Sequence, residues 1–149
     1  MLIVARNVSD LKVFTLAEVY ELDSLQEGQD FYGFLSEDFF PGGICCVWEE
    51  KGRYVAALRL QRWQDGYLLD GLQTHPDHRG RGYAKQLIAE SLAALKMEKV
   101  YSHISRDNAP SIAAHTSCGF RKLHDRATYL DGTLHLHSDT YLFENPRCM

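Results

Sequence analysis

The run Gly66-Tyr67-Leu68-Leu69-Asp70-Gly71-Leu72 and the loop that follows it, Gln73-Thr74-His75-Pro76-Asp77-His78-Arg79-Gly80-Arg81-Gly82-Tyr83-Ala84, constrain the chain more than any other part of it. The apolar run has strand length and is ended by Pro76. Beyond the glycines, Ala84, Leu87, Ile88, Ser91, Leu92 and Leu95 recur at helical spacing, with Lys85, Gln86, Glu90 and Lys96 between them. A strand therefore feeds a tight glycine turn, and the turn feeds an amphipathic helix. Such a loop gathers free backbone N–H groups at a helix N-terminus, where the partial positive charge favours an anion. Gly80 and Gly82 put no side chain in the way, and Arg79 and Arg81 can neutralise what docks. The spacing is neither that of a P-loop, because no Lys-Ser/Thr pair closes it, nor Gly-x-Gly-x-x-Gly. It predicts a cradle for a pyrophosphate.

The 149 residues are enough to bury the core of one domain, and no repeat, linker or low-complexity stretch divides 1–149. The N-terminus lacks the basic start and long apolar region of a signal peptide, and no run is apolar enough to span a bilayer, so a cytoplasmic protein without a membrane partner is expected. Cys45, Cys46, Cys118 and Cys148 have neither zinc spacing nor a disulfide framework, and Cys45 and Cys46 should point to opposite faces of a strand. The net charge of −4 argues against a nucleic-acid partner. No basic residue falls between Lys12 and Lys51, where Glu18, Glu21, Asp23, Glu27, Asp30, Glu37, Asp38, Glu49 and Glu50 collect; a cationic ligand there and an anionic one at the arginines fit this separation.

In chain order, Leu2 to Arg6 reads as an edge strand, and Ser9 or Asp10 can cap a helix from Leu11. A broken helical pattern then runs to about Phe40, with one stripe at Val13, Leu16, Ala17 and Tyr20 and a second at Phe31, Phe34 and Leu35. Ile44–Glu49 and Arg53–Gln61 form a hairpin leading to the central strand, and Val100–Ser105 follows the helix as a further strand. Asn108 caps a helix that stops near Gly119, and Phe120–Leu130 and Thr133–Phe143 pair across Asp131-Gly132. His124, His135 and His137 lack the further convergent group a metal site requires, so no metal is expected.

Two motifs in this order resemble those of the GNAT family of N-acetyltransferases. The first is Arg/Gln-x-x-Gly-x-Gly/Ala, here Arg79, Gly82 and Ala84; the second is Asn-x-x-Ala/Ser-x-x-x-Tyr-x-x-x-Gly-Phe, here Asn108, Ser111, His115, Gly119 and Phe120. Histidine stands where the family usually has tyrosine. The resemblance implies an α/β fold with a mixed, twisted sheet of about six or seven strands, flanked by four helices. It implies that the central strand ending at Thr74 splays from Val100–Ser105 to admit the pantetheine of acetyl-CoA, a co-substrate.

By the same resemblance, Leu72, Gln73, Thr74, Arg79, Gly80, Arg81, Gly82, Tyr83, Ala84, Asn108 and Ser111 hold acetyl-CoA. The Leu72 N–H is then the donor to the thioester oxygen, where an N–H fixed against developing charge needs no reorganisation. An alkyl ammonium must lose a proton before it attacks, and Asp70, sharing a strand face with Leu68, Leu72 and Thr74, is the implied base, directly or through water. His103 is placed to face the acceptor. His115 is the expected donor to the departing thiolate, with Tyr141 as the alternative. The implied activity is transfer of acetyl to a primary amine in a ternary complex, and the acidic segment leaves room for a cationic acceptor; a non-catalytic acyl-CoA sensor on the same fold is the alternative. The resemblance leaves a homodimer open.

Overall fold

Apolar runs of the lengths just described pair into a seven-stranded sheet in the computed structural model, which describes residues 1–11, 31, 33–35, 42–96, 99–129, 131, 133–134 and 138–145. The strands are β1 (Leu2–Ala5), β2 (Ile44–Glu50), β3 (Arg53–Trp63), β4 (Gly66–Thr74), β5 (Val100–Ser105), β6 (Arg121–His124) and β7 (Thr140–Asn145), in the spatial order β1-β2-β3-β4-β5-β7-β6. Neighbours are antiparallel except β4 and β5. A parallel pair needs a crossover, and helix α1 (Tyr83–Leu95) supplies it. Helix α2 (Ala109–Ser117) follows β5, and residues 31 and 33–35 are also helical. Of the four helices expected, the one carrying Val13, Leu16, Ala17 and Tyr20 lies outside the described residues. Asp10, a candidate cap for it, turns its carboxylate back to accept the N–H groups of Arg6 and Asn7 at 3.0 and 3.1 Å.

Two apolar layers sandwich the sheet. On one face α1 buries Leu87, Ile88 and Leu92 against Ile44, Cys46, Leu58, Leu60 and Leu69, and α2 adds Ile112 and Ala114. Each fully buried side chain of this size contributes about 1.5–3 kcal/mol. On the other face Phe31 and Leu35 cover Ala5, Cys45, Val47 and Ala57, while Trp63, Leu68, Tyr101 and Leu142 form a separate cluster. Cys45 and Cys46 do point to opposite faces, and burial pushes the Cys45 thiol up to about 12. Both serve as small apolar residues.

An extra residue in β4 decides which side chains share a face. Leu60 pairs with Leu69, but Leu58 pairs with Leu72, so β4 advances three residues while β3 advances two. The bulge falls at Asp70-Gly71, and Gly71 adopts φ +91°. A Cβ there would stand 2.7 Å from Phe34 Cε2, so Phe34 could not keep its place against the strand. Leu69 and Leu72 consequently both pack on the helix-covered face. Asp70 stays with Leu68 on the other, where Gln61 Nε2 donates to its Oδ2 at 3.3 Å. The simple alternation that put Asp70 on one face with Leu72 and Thr74 is thus broken by the bulge.

Pairing between β4 and β5 is short. It covers Tyr67 with Val100, Leu68 with Tyr101 and Leu69 with Ser102, and no further, although β4 runs on to Thr74 and β5 to Ser105. The expected splay of the central strands is present. Among the described residues the expected C-terminal hairpin pairs less than its pattern suggests: β6 and β7 pair over Arg121–His124, with a separate bridge between Thr128 and Leu134. Between these, side chains take over from the ladder, as Arg106 Nη2 donates to Asp125 O at 2.8 Å and Ser138 Oγ accepts from Ala127 N at 3.3 Å.

Gly71→Ala should lower stability by about 1–2 kcal/mol for its backbone conformation alone, with a further loss from displacing Phe34. Gly52→Ala, at φ +80° with nothing within 4 Å of the new methyl, should show only the first of these costs. Urea unfolding of the two variants separates the two contributions.

Candidate functional site

The site begins where β5 leaves β4. His75 N donates to Val55 O at 2.8 Å, which fixes which β4 groups face β3. In an antiparallel pair these groups alternate, so Gln73 also faces β3, opposite Ala57, and the N–H groups of Leu72 and Thr74 point the other way. That side is the one β5 has vacated. Two strand N–H groups therefore face a gap.

The glycine loop closes one end of it. A short 3₁₀ turn at Pro76–His78 redirects the chain, and Gly80 and Gly82 take φ +77° and +81°. Nothing lies within 4 Å of where either Cβ would be, so the absent side chains leave open space over the loop. Gly82 is the N-cap of α1 and supplies no side-chain cap, and the first turn carries no acid. The leading N–H groups of α1 thus remain available to an anion. At α2 the opposite holds, because Asn108 Oδ1 accepts from Ser111 N at 3.2 Å and closes that terminus itself.

Between the two helices and β4 runs a cleft of about 790 Å³ lined by Leu72, Gln73, Thr74, His78, Arg79, Gly80, Gly82, Tyr83, Ala84, Lys85, Asn108, Pro110, Ser111 and Ala114. This is the size of a cavity for an extended small molecule. Arg79 reaches back from the loop to the end of β4, its Nε donating to Thr74 O at 3.3 Å. Every residue assigned to cofactor binding from the sequence lines the cleft except Arg81, which is exposed beside it. His78, Lys85, Pro110 and Ala114 are wall residues the sequence reading did not select. The cue for Pro110 and Ala114 was the face of α2 around Ser111; His78 offered only its place in the loop. Burial, and next the Arg81 charge, hold His78 below the usual histidine value.

His115 is not in the cleft wall. Each residue turns a helix by about 100°, and the cleft side of α2 runs through Pro110, Ser111 and Ala114, so His115 is carried onto the sheet. It is 1% exposed, with Nε2 3.0 Å from Ser102 Oγ and Nδ1 2.7 Å from Ser111 O. Burial lowers its pKa. The ring expected to approach a cofactor sulfur is thus buried against Ser102 and does not line the cleft. Asp70 and His103 lie on the opposite sheet face from α1 and α2. His103 pairs with Leu142 of the apolar cluster there, and its Nε2 accepts from Thr128 N at 3.2 Å. Tyr141 packs on the helix-covered face, between Arg106 at 5.0 Å and Lys122 at 4.7 Å from its ring.

Residues 11–120 match the model of the acetyltransferase (GNAT) family. The chain belongs to that family. Among curated proteins the sequence finds no significant match. Among solved structures, the ribosomal-protein-S18-alanine N-acetyltransferase from Escherichia coli is 18% identical with a TM-score of 0.60, over 100% of this chain and 96% of that one. The PaiA N-acetyltransferase from Thermoplasma acidophilum, in complex with coenzyme A, is 13% identical with a TM-score of 0.57, over 83% of this chain and 69% of that one. The spermidine N-acetyltransferase from Vibrio cholerae, in complex with CoA and spermine, is 16% identical with a TM-score of 0.56, over 83% of this chain and 75% of that one. At these identities the likeness is one of fold, and that fold is the GNAT fold.

Most of the acidic segment, Glu18 to Asp38, lies outside the described residues, as do His135 and His137. Among the described residues no three His, Cys, Asp or Glu side chains are grouped to hold a metal ion, and no helix is long and apolar enough to cross a membrane.

A buried histidine kept neutral in this GNAT domain has a definite pH signature. Between its lowered folded pKa and the unfolded value of about 6.5 the unfolded chain binds more protons, so stability rises with pH and is lost as pH falls. Between about pH 7.5 and about pH 5, the Tm of the wild type should fall further than that of His115→Gln, which removes this titration. Parallel melting curves check it.

Proposed function

We propose that the protein is an N-acetyltransferase that moves acetyl from acetyl-CoA to a primary amine by direct attack in a ternary complex. The observation that carries this reading is the pairing of the two ends of the cleft. At one end are strand N–H groups freed by the splay, and at the other a glycine-lined helix N-terminus beside Arg79. An acyl-CoA has amides and a thioester at one end of its arm and a diphosphate at the other. The solved GNAT structures holding coenzyme A support the same ligand class.

Bound acetyl-CoA supplies an activated acyl group with a thiol leaving group. The N–H groups of the first turn of α1, with Arg79, Arg81 and Lys85, hold the diphosphate, and Gly80 and Gly82 allow close approach. The Thr74 N–H and the Asn108 and Ser111 side chains hold the arm. The Leu72 N–H donates to the thioester oxygen as negative charge develops there, in a gap already shaped for it. The amine comes from the sheet face away from α1 and α2, the face of Asp70 and His103. Asp70, hydrogen-bonded to Gln61, takes the proton from the ammonium through water. Thiols ionise near pH 8.5, so the sulfur can leave without a proton from His115.

Thiol release from acetyl-CoA against a panel of primary amines tests the activity. Amine-dependent release is the expected result, and tight CoA binding with no turnover across the panel would favour a sensor. Replacing Arg79 and Arg81 by Ala should weaken CoA at least tenfold, since charge-assisted hydrogen bonds are worth about 1.5–3 kcal/mol each; dephospho-CoA should still compete. Calorimetry reads both, and unchanged affinity would remove the diphosphate from this loop. Asp70→Asn should lower turnover more at neutral than at high pH, where free amine needs no base. A pH–rate profile lowered uniformly, with its shape kept, would contradict a base at Asp70.

A further inference from the structure

Beneath the α2 wall of the cleft a chain of hydrogen bonds, buried at Ser102 and His115, backs the Ser111 side chain. Ser102, 2% exposed, is the last β5 residue paired with β4, and its Oγ lies 3.0 Å from His115 Nε2. His115 Nδ1 lies 2.7 Å from Ser111 O and 3.3 Å from Ser111 Oγ. Ser111 lines the cleft. The chain thus joins the point where the central strands part to the wall facing the cofactor.

Chemistry orders the protons along it. A carbonyl oxygen only accepts, so Nδ1 carries the ring proton and donates to Ser111 O. Nε2 of the neutral ring must then accept, and the Ser102 hydroxyl donates to it. The ring remains neutral because burial disfavours its charged form. Ser111 Oγ, beside the same Nδ1–H, stands on the accepting side of that proton, which leaves its own hydrogen to turn into the cleft. The ring itself is gripped by Phe120, whose centroid is 4.9 Å away nearly edge-on.

We propose that Ser102 and His115 are positioning residues that present the Ser111 hydroxyl as a donor to an oxygen of the cofactor arm, an amide carbonyl in chemical class, and that His115 passes no proton in the reaction. This rests on the acetyl-CoA reading. It accounts for a histidine at this position: the imidazole satisfies a buried serine on the sheet and a serine on the cleft wall at once, which a phenylalanine could not.

Two measurements test it. In the ring ¹⁵N spectrum of the wild type, His115 should show the Nδ1–H tautomer throughout the neutral range; an Nε2–H tautomer would overturn the hydrogen-bond order whatever the ligand proves to be. In steady-state kinetics, Ser102→Ala and Ser111→Ala should each raise the KM for acetyl-CoA by about fivefold, the worth of one hydrogen bond, with kcat and the pH profile unchanged. The double variant should be little worse than either alone. His115→Asn, whose amide N–H can replace Nδ1–H, should recover affinity lost in His115→Ala. If His115→Asn instead lowers kcat and removes a limb of the pH profile at unchanged KM, His115 is a proton donor and the proposal fails. Unchanged KM in both serine variants would also overturn it. A wild type showing the Nδ1–H tautomer but no CoA binding would sink the acetyl-CoA reading, and with it the cofactor role, while leaving the hydrogen-bond order standing.

Discussion

The early end of the β4–β5 pairing is the constraint on which the site depends. Parallel strands joined by a helix ordinarily share hydrogen bonds along their length, yet these two share only three residue pairs before parting. Beyond that point β5 keeps β7 on its other edge and β4 keeps β3, so the facing edges of both strands are left open. The donors that line the site belong to β4. Its Leu72 and Thr74 N–H groups are held in direction by the ladder to β3 and face a space rather than a strand. A backbone donor cannot be deprotonated or rotated away, so a site built on such groups is already ordered before a ligand arrives.

The bulge at Gly71 adds a second consequence of backbone geometry. By inserting one residue it sends Leu72 to the helix-covered face and leaves Asp70 with Leu68 on the other. The two faces then take different work. The helix side carries the glycine loop and the polar wall of α2, whereas the far side carries Asp70, His103 and the Trp63–Tyr101 aromatic pair, whose ring centroids are 4.9 Å apart. In the proposed reaction acetyl-CoA approaches the gap from the side of α1 and α2, and the amine from the side of Asp70.

Much of this could be read from residue order. The strand, glycine turn and amphipathic helix from Gly66 to Leu95 are local in sequence, and their periodicities are set by backbone geometry alone, so the helix and loop fall where the pattern put them. The Asn108 cap and the close of α2 near Gly119 are likewise local. What alternation could not reveal was non-local. The bulge is decided by the register of β4 against β3 and by Phe34 lying on Gly71, so Asp70 was placed on the wrong face relative to Leu72. His115 kept the motif's spacing, but its direction depends on how α2 is rotated against β5, and that rotation turns it to Ser102. Among the described residues the C-terminal hairpin pairs less continuously than its alternation predicts, because backbone groups of Asp125, Ala127 and Thr128 bond to the Arg106, Ser138 and His103 side chains.

Amide hydrogen exchange with and without coenzyme A addresses the central claim most directly, because it reads individual N–H groups of β4. In the free protein the Leu72 and Thr74 amides should exchange faster than that of Gln73, which the β3 ladder protects. On adding coenzyme A, Leu72, Thr74 and the leading amides of α1 should become protected while Gln73 changes little. Protection of Leu72 and Thr74 already in the free protein, or no change in them at saturating coenzyme A, would contradict a ligand arm seated between β4 and β5.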